Sequence, residues 1–175
     1  GFFYNGGPHP ISNTPLGELF AGGFLGSVLL VLSFYVHTAE VSINVFLVSI
    51  PSLLLVASIL TVNNTCDIEG DREAGRKTFS ILVGRNAASI VIYLIGITSF
   101  GLLFLYAAVG ILPLWTFFLA PPALIYSLLL YLQMHRRGYS HSTKGPSMQT
   151  ILRIFGIYTL ALISSLILGI LYPVF

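Results

Sequence analysis

Charge is what this chain has least of. Lys, Arg, Asp and Glu make up 8% of its 175 residues, against 55% hydrophobic residues. Ordinary globular domains carry about 25% charged residues. A chain this poor in charge would present large apolar patches to water, which excludes an ordinary soluble domain and places it in a membrane. Its net charge of +2 is too small and too dispersed for a nucleic-acid binder. The single cysteine, Cys66, excludes an internal disulfide framework. Residues 1–13 lack the basic and apolar regions of a signal peptide. The chain opens without Met inside a Gly/Pro-rich segment, so we expect it to be part of a longer protein.

Long apolar runs are what the chain has most of. Five are long enough to span, at residues 16–36, 43–62, 87–109, 114–134 and 149–172. A span needs about 20 residues at 1.5 Å rise each. The expected fold is therefore an all-α polytopic transmembrane bundle. Gly22, Gly23 and Gly26 in the first run permit close helix packing. Pro51 in the second and Pro121-Pro122 in the fourth predict kinks, which a bundle tolerates. Parity puts residues 1–15, 63–86 and 135–148 on one face. All eight Lys and Arg residues lie on or beside that face, so the positive-inside rule makes it cytoplasmic.

Eight of the fourteen charges fall between Asp67 and Arg85. Charge at a membrane boundary is costly and marks a functional site by default. If the helix continues past residue 62, Asp67 and Asp71, four apart, share one face. Two carboxylates there would repel, and a hard cation relieves this. Mg²⁺ commonly binds through one or two carboxylates plus substrate phosphates. Arg72, Arg76 and Lys77 have the chemistry to hold phosphate oxygens. The alternative is a solvated loop in which Asp71 pairs with Arg72 and Glu73 with Lys77. Arg136, Arg137 and Lys144 are assigned to topology. Asn63 and Asn64 are either polar ligands or the cap of the second span. Cys66 reads as packing. Glu18 lies just inside the boundary without a local partner. With Tyr4 in the segment before it, Glu18 is a candidate for substrate contact, or else a favourable charge at a helix N-terminus. His9, His37, His135 and His141 have no metal-ligand spacing and read as loop residues.

The run Asn63-Asn64-Thr65-Cys66-Asp67-Ile68-Glu69-Gly70-Asp71, followed by Gly75-Arg76-Lys77-Thr78, resembles the UbiA family of intramembrane aromatic prenyltransferases. It is most like the menaquinone branch, whose acceptor is 1,4-dihydroxy-2-naphthoate. Gly6-Gly7-Pro8, Thr14-Pro15-Leu16-Gly17-Glu18 and Leu82-Val83-Gly84 are similar to further segments of that branch, in the same order. Two features depart from the pattern. Cys66 stands where the family has Arg, and the family's earlier aspartate-rich motif does not occur in these residues. The resemblance implies that the chain corresponds to the C-terminal five helices of a nine-helix fold and is silent on its own.

It further implies that Asp67 and Asp71 act through Mg²⁺ on a polyprenyl diphosphate whose phosphates meet Arg72, Arg76 and Lys77. Asn63, Asn64, Glu18 and Tyr4 would be on the substrate side. The prenyl group would pass to the naphthoate ring with loss of CO₂. Phe100, Phe104, Tyr106, Phe117 and Phe118 are expected either to line a lipid-tail tunnel or simply to pack. Other readings stay open: a 4-hydroxybenzoate or haem acceptor, or a non-catalytic lipid- or quinone-binding membrane module.

Overall fold

The computed structural model describes residues 2–173, and every regular element among them is helical. Helix α1 (Phe2–Asn5) and a 3-10 turn (Ile11–Asn13) lead into α2 (Gly17–Thr38). Next come α3 (Ile43–Cys66) and two short helices, α4 (Ile68–Glu73) and α5 (Phe79–Val83). Then follow α6 (Arg85–Ala108), α7 (Thr116–Arg137), a 3-10 turn (His141–Thr143) and α8 (Lys144–Leu171). Five of these, α2, α3, α6, α7 and α8, are long and apolar enough to cross a membrane.

The spans lie where hydropathy puts them, but their polar ends run further. Asn63 and Asn64 are not a cap: α3 continues through them to Cys66. Thr61 and Thr65 help by returning their hydroxyls to the carbonyls of Ala57 and Thr61 (3.0 and 2.6 Å). At the other end of the chain, α8 starts at Lys144 rather than 149. Pro146 is no obstacle there, because a first-turn N–H lacks a helical partner anyway. The last connection therefore shrinks to residues 138–143. His135, expected in a loop, lies inside α7 and shares a 3.0 Å hydrogen bond with Tyr93. His37 likewise lies in the last turn of α2, bonded to Ser33 O at 2.7 Å.

Helices in lipid gain little from burying apolar surface against one another, so small residues and polar bonds hold the bundle. Helix α3 packs against α2, α6 and α8. Against α2 the contact is backbone to backbone. A Cβ built on Gly22 would lie 2.4 Å from Leu53 O, and one on Gly26 would lie 2.5 Å from Leu53 Cα. Part of α2, Gly22–Val28, winds as a π-helix through these glycines. Ser27 and Ser49 bond across the same seam. Thr116 and Ser165 join α7 to α8 at 2.7 Å.

Leu55, Ile92, Phe100, Met134, Ile151 and Tyr158 fill the centre, with Phe100 edge-on to Tyr158 at 5.8 Å. The outer surface is apolar too: Leu94, Phe118, Leu129 and Ile170 are exposed, as lipid contact requires. Phe100 and Tyr106 are thus core residues, while Phe118 faces outward.

Hydrogen bonds fix which connections share an end of the bundle. Lys77 N donates to Asn13 O (2.8 Å), and Asp67 accepts from His141 (2.8 Å) and from Lys144. The three connections that parity grouped are therefore joined to one another. At the opposite end, Trp115 Nε1 donates to Tyr172 O (2.9 Å).

Candidate functional site

Asp67 stands at the break between α3 and α4, with φ −109° and ψ 19°. The helical ladder survives the break, since Asp71 N donates to Asp67 O at 2.9 Å. The two carboxylates nevertheless meet different cations. Asp67 Oδ1 accepts from His141 Nδ1 (2.8 Å), and Oδ2 from Lys144 Nζ. Asp71 Oδ1 accepts from Arg76 Nη1 at 2.7 Å. Its own Oδ2 is buried without a partner. Burial by itself would raise the Asp67 carboxyl, but the hydrogen bonds and charges of Lys144 and His141 outweigh it and hold its pKa below the usual value.

Arg76 is the hinge of the second cluster. The left-handed turn at Gly75 (φ 71°) brings the chain back so that Arg76 N reaches Asp71 O at 2.9 Å. Its Nη2 donates to Ser12 O (2.9 Å), which ties the cluster to the turn ahead of α2, while Nε is buried without an acceptor. At the start of α2, Glu18 is only 5% exposed. Asn64 Nδ2 donates to its Oε1 (2.8 Å) and Asn63 Nδ2 to Asn64 Oδ1 (3.1 Å). Glu18 Oε2 is a second buried carboxylate oxygen without a partner. Tyr4 OH donates to Gly17 O at 3.3 Å, and its pKa is raised by burial and then by the Glu18 charge. Beside it a cavity of about 530 Å³ is lined by Phe3, Tyr4, Ile11, Phe20 and Phe24.

The local pairing foreseen for a solvated loop does not form. Asp71 pairs with Arg76 instead of Arg72. Among the described residues, Arg72 and Lys77 are exposed and make no ion pair. Glu69 is taken by Arg85, whose Nη2 reaches both its oxygens (2.8 and 2.7 Å) and lowers its pKa. Cys66 is fully buried in the core, as a packing residue should be.

Two site residues escaped the sequence reading. The positive-inside rule alone accounts for Lys144, and His141 reads as a loop residue, yet both hold Asp67. Parity alone put their connection on the right face, but nothing in the local pattern joined positions 74 and 77 residues apart.

A divalent metal fits these residues. Asp71 Oδ2 is a buried carboxylate oxygen with no donor, and Asp67 lies one helical turn before it, its backbone O bonded to Asp71 N. Among the described residues no three His, Cys, Asp or Glu side chains converge. The protein therefore offers a sparse donor set, and a divalent ion there would draw its remaining ligands from outside these side chains.

Five membrane-crossing helices with carboxylates and cations gathered at one end define a multi-pass membrane protein with a polar site at its surface. Residues 1–150 match the UbiA prenyltransferase family, and the chain belongs to it. The chain is 47% identical over 88 residues, half of its length, to the 1,4-dihydroxy-2-naphthoate octaprenyltransferase of Bacillus subtilis (strain 168). It is 31% identical over 124 residues (69% of the chain) to the enzyme of the same name in Haemophilus influenzae. It is 30% identical over 105 residues (60% of the chain) to the UbiA prenyltransferase domain-containing protein 1 homolog of Drosophila melanogaster. The matched stretches amount to 28%, 40% and 29% of those proteins' own lengths, so the chain answers to only part of each. No solved structure matches the chain.

Proposed function

We propose that the chain is the C-terminal part of a Mg²⁺-dependent prenyltransferase. It would move a polyprenyl group from its diphosphate to 1,4-dihydroxy-2-naphthoate, a step of menaquinone biosynthesis. The observation that carries this reading is the partnerless, buried Oδ2 of Asp71 beside Arg76, in a chain similar to two enzymes whose names state that acceptor.

Asp67 and Asp71 would hold the metal. When bound, the metal neutralises charge developing on the leaving diphosphate. Arg76 is already aimed into the cluster and would keep one face of the diphosphate in place. Arg72 and Lys77, exposed at the same end, would take further phosphate oxygens. Arg76, held in advance by Asp71 and Ser12, would need little reorganisation as the carbon–oxygen bond to the diphosphate breaks. A ring carbon of the acceptor would then bond the allylic carbon, and the ring would regain aromaticity by releasing its carboxylate as CO₂. Glu18, held by Asn64 with one oxygen free, would orient a polar group of that ring, together with Tyr4. Keeping water from the electron-deficient carbon would need the further helices of the complete protein together with this bundle. The remainder of the site would come from the part of the relatives' length that this chain does not match.

The direct test is to purify the complete protein in lipid nanodiscs and supply a polyprenyl diphosphate with dihydroxynaphthoate. Prenylated product should form with Mg²⁺ and stop with EDTA. If 4-hydroxybenzoate is prenylated and dihydroxynaphthoate is not, the acceptor assignment is wrong. Orientation is tested separately. All eight Lys and Arg residues lie at or beside the polar end, Arg153 further along α8, so that end is proposed to be cytoplasmic, in the cell membrane. A Glu69→Cys variant on a Cys66→Ala background should resist a membrane-impermeant thiol reagent in intact cells and react after permeabilisation. Reaction in intact cells would reverse the orientation.

A further inference from the structure

We propose that the start of α8 supplies a further diphosphate-binding cation, Lys144, which sits on Asp67 as a place-holder for the metal and passes to the phosphate oxygens when the metal takes Asp67. The proposal rests on the metal role proposed for Asp67 above.

Three cations were attributable to topology alone: Arg136, Arg137 and Lys144. The structure separates them. Among the described residues, Arg136 makes no ion pair, and Arg137 reaches only the hydroxyl of Thr150, at 3.4 Å. Lys144 alone of the three meets a carboxylate. Positive-inside sorting asks only that a cation be near the cytoplasmic surface; it does not ask that the cation fold onto an aspartate. The position is also unfavourable for its own helix. Lys144 is the first residue of α8, where the backbone dipole disfavours a cation. Asp67 offsets that cost while it remains an anion free of metal.

The two oxygens of Asp67 are both occupied, Oδ1 by His141 and Oδ2 by Lys144. A divalent ion and an ammonium cannot share one carboxylate oxygen at close range without strong repulsion. Metal entry therefore displaces Lys144. The freed side chain then stands beside the phosphate oxygens that arrive with the metal, and their negative charge receives it. The backbone need not move. Thr143 Oγ1 bonds Gly138 O (3.0 Å), Ser140 N bonds Thr143 Oγ1 (2.9 Å), and Gly138 turns the chain at φ 75°. The long lysine stem does the moving. Its side chain is 31% exposed, which leaves it room to turn. His141, 89% exposed, can leave Oδ1 in the same way.

Exchange of this kind has a signature that a strut lacks: removing Lys144 should move two affinities in opposite directions. In the complete protein in nanodiscs, Mn²⁺ binding alone is followed by EPR, and binding of inorganic pyrophosphate with Mg²⁺ by calorimetry. Lys144→Gln is expected to tighten Mn²⁺ several-fold, because the competitor is gone. It should weaken pyrophosphate by about tenfold to a hundredfold, the worth of a lost charged hydrogen bond. Lys144→Arg should restore most of the pyrophosphate affinity. A fall in both affinities would make Lys144 a structural strut and overturn the proposal, as would no change in either. Asp67→Asn is the control for the underlying reading. If it leaves Mn²⁺ binding at the wild-type level, the metal role of Asp67 fails and the proposal with it. If it abolishes Mn²⁺ binding while Lys144→Gln lacks the opposed pattern, only the exchange fails.

Discussion

Asp71→Asn in the complete protein is expected to lower prenyl transfer by about a thousandfold or more while the helices remain folded. Asparagine keeps the shape of aspartate and an acceptor for Arg76, so the 2.7 Å contact can persist as a weaker, neutral-acceptor bond. What is lost is the charge on Oδ2, the oxygen that no protein donor satisfies. A metal bound there contributes several kcal/mol to stabilising the leaving diphosphate, and each 1.36 kcal/mol is tenfold in rate. Asp67→Asn should act in the same direction. It also leaves the Lys144 ammonium without its counter-charge, so its Mg²⁺ dependence should be read beside its thermal stability. The two effects separate cleanly for Asp71. Loss of the pair with Arg76, whose side chain is 27% exposed, should cost only about 1–3 kcal/mol of stability. Turnover near wild type in Asp71→Asn, with the protein folded, would remove Asp71 from the metal site. Loss of folding would instead show the carboxylate to be chiefly a partner for Arg76.

The second large effect concerns packing. Gly26→Ala should destabilise the bundle by about 1–3 kcal/mol or more, whereas Gly23→Ala should be neutral or stabilise slightly. The chemical change is identical, and the positions lie three apart on one helix. Their surroundings differ. A methyl on Gly26 would lie 2.5 Å from Leu53 N and Cα and 2.7 Å from Ser52 C, all backbone atoms of α3 that cannot turn aside. A methyl on Gly23 meets nothing within 4 Å, and it removes some unfolded-chain freedom. Besides its closeness the seam carries the Ser27–Ser49 bond and, at its polar end, the Glu18–Asn64 bond, so separating the helices forfeits much of what holds them. Thermal unfolding of both variants, with size-exclusion profiles in one detergent, decides it. Equal midpoints for the two would mean that α2 does not depend on close approach to α3.

The sequence alone determined the class of fold, the number of spans and the face on which the cations gather. These are sums over neighbouring residues. An apolar run commits a segment to lipid whatever it packs against, and parity then assigns each connection to an end. The aspartate-rich segment was legible for the same reason, since charge stands out against so apolar a chain. Helix ends were less legible, because polar residues such as Asn63 and Asn64 can either cap a helix or extend it, and hydroxyls returning bonds to α3 favoured extension. The tertiary structure alone decided the partners. It put Asp67 on Lys144 and His141, Asp71 on Arg76, and Glu18 on Asn64. Each of the first and last of these joins residues far apart in the chain, and one turn of loop conformation is enough to make or break it. A carboxylate of this kind has several cations within reach of its connection. Which one it meets depends on the packing of whole helices, and no local pattern of residues records that.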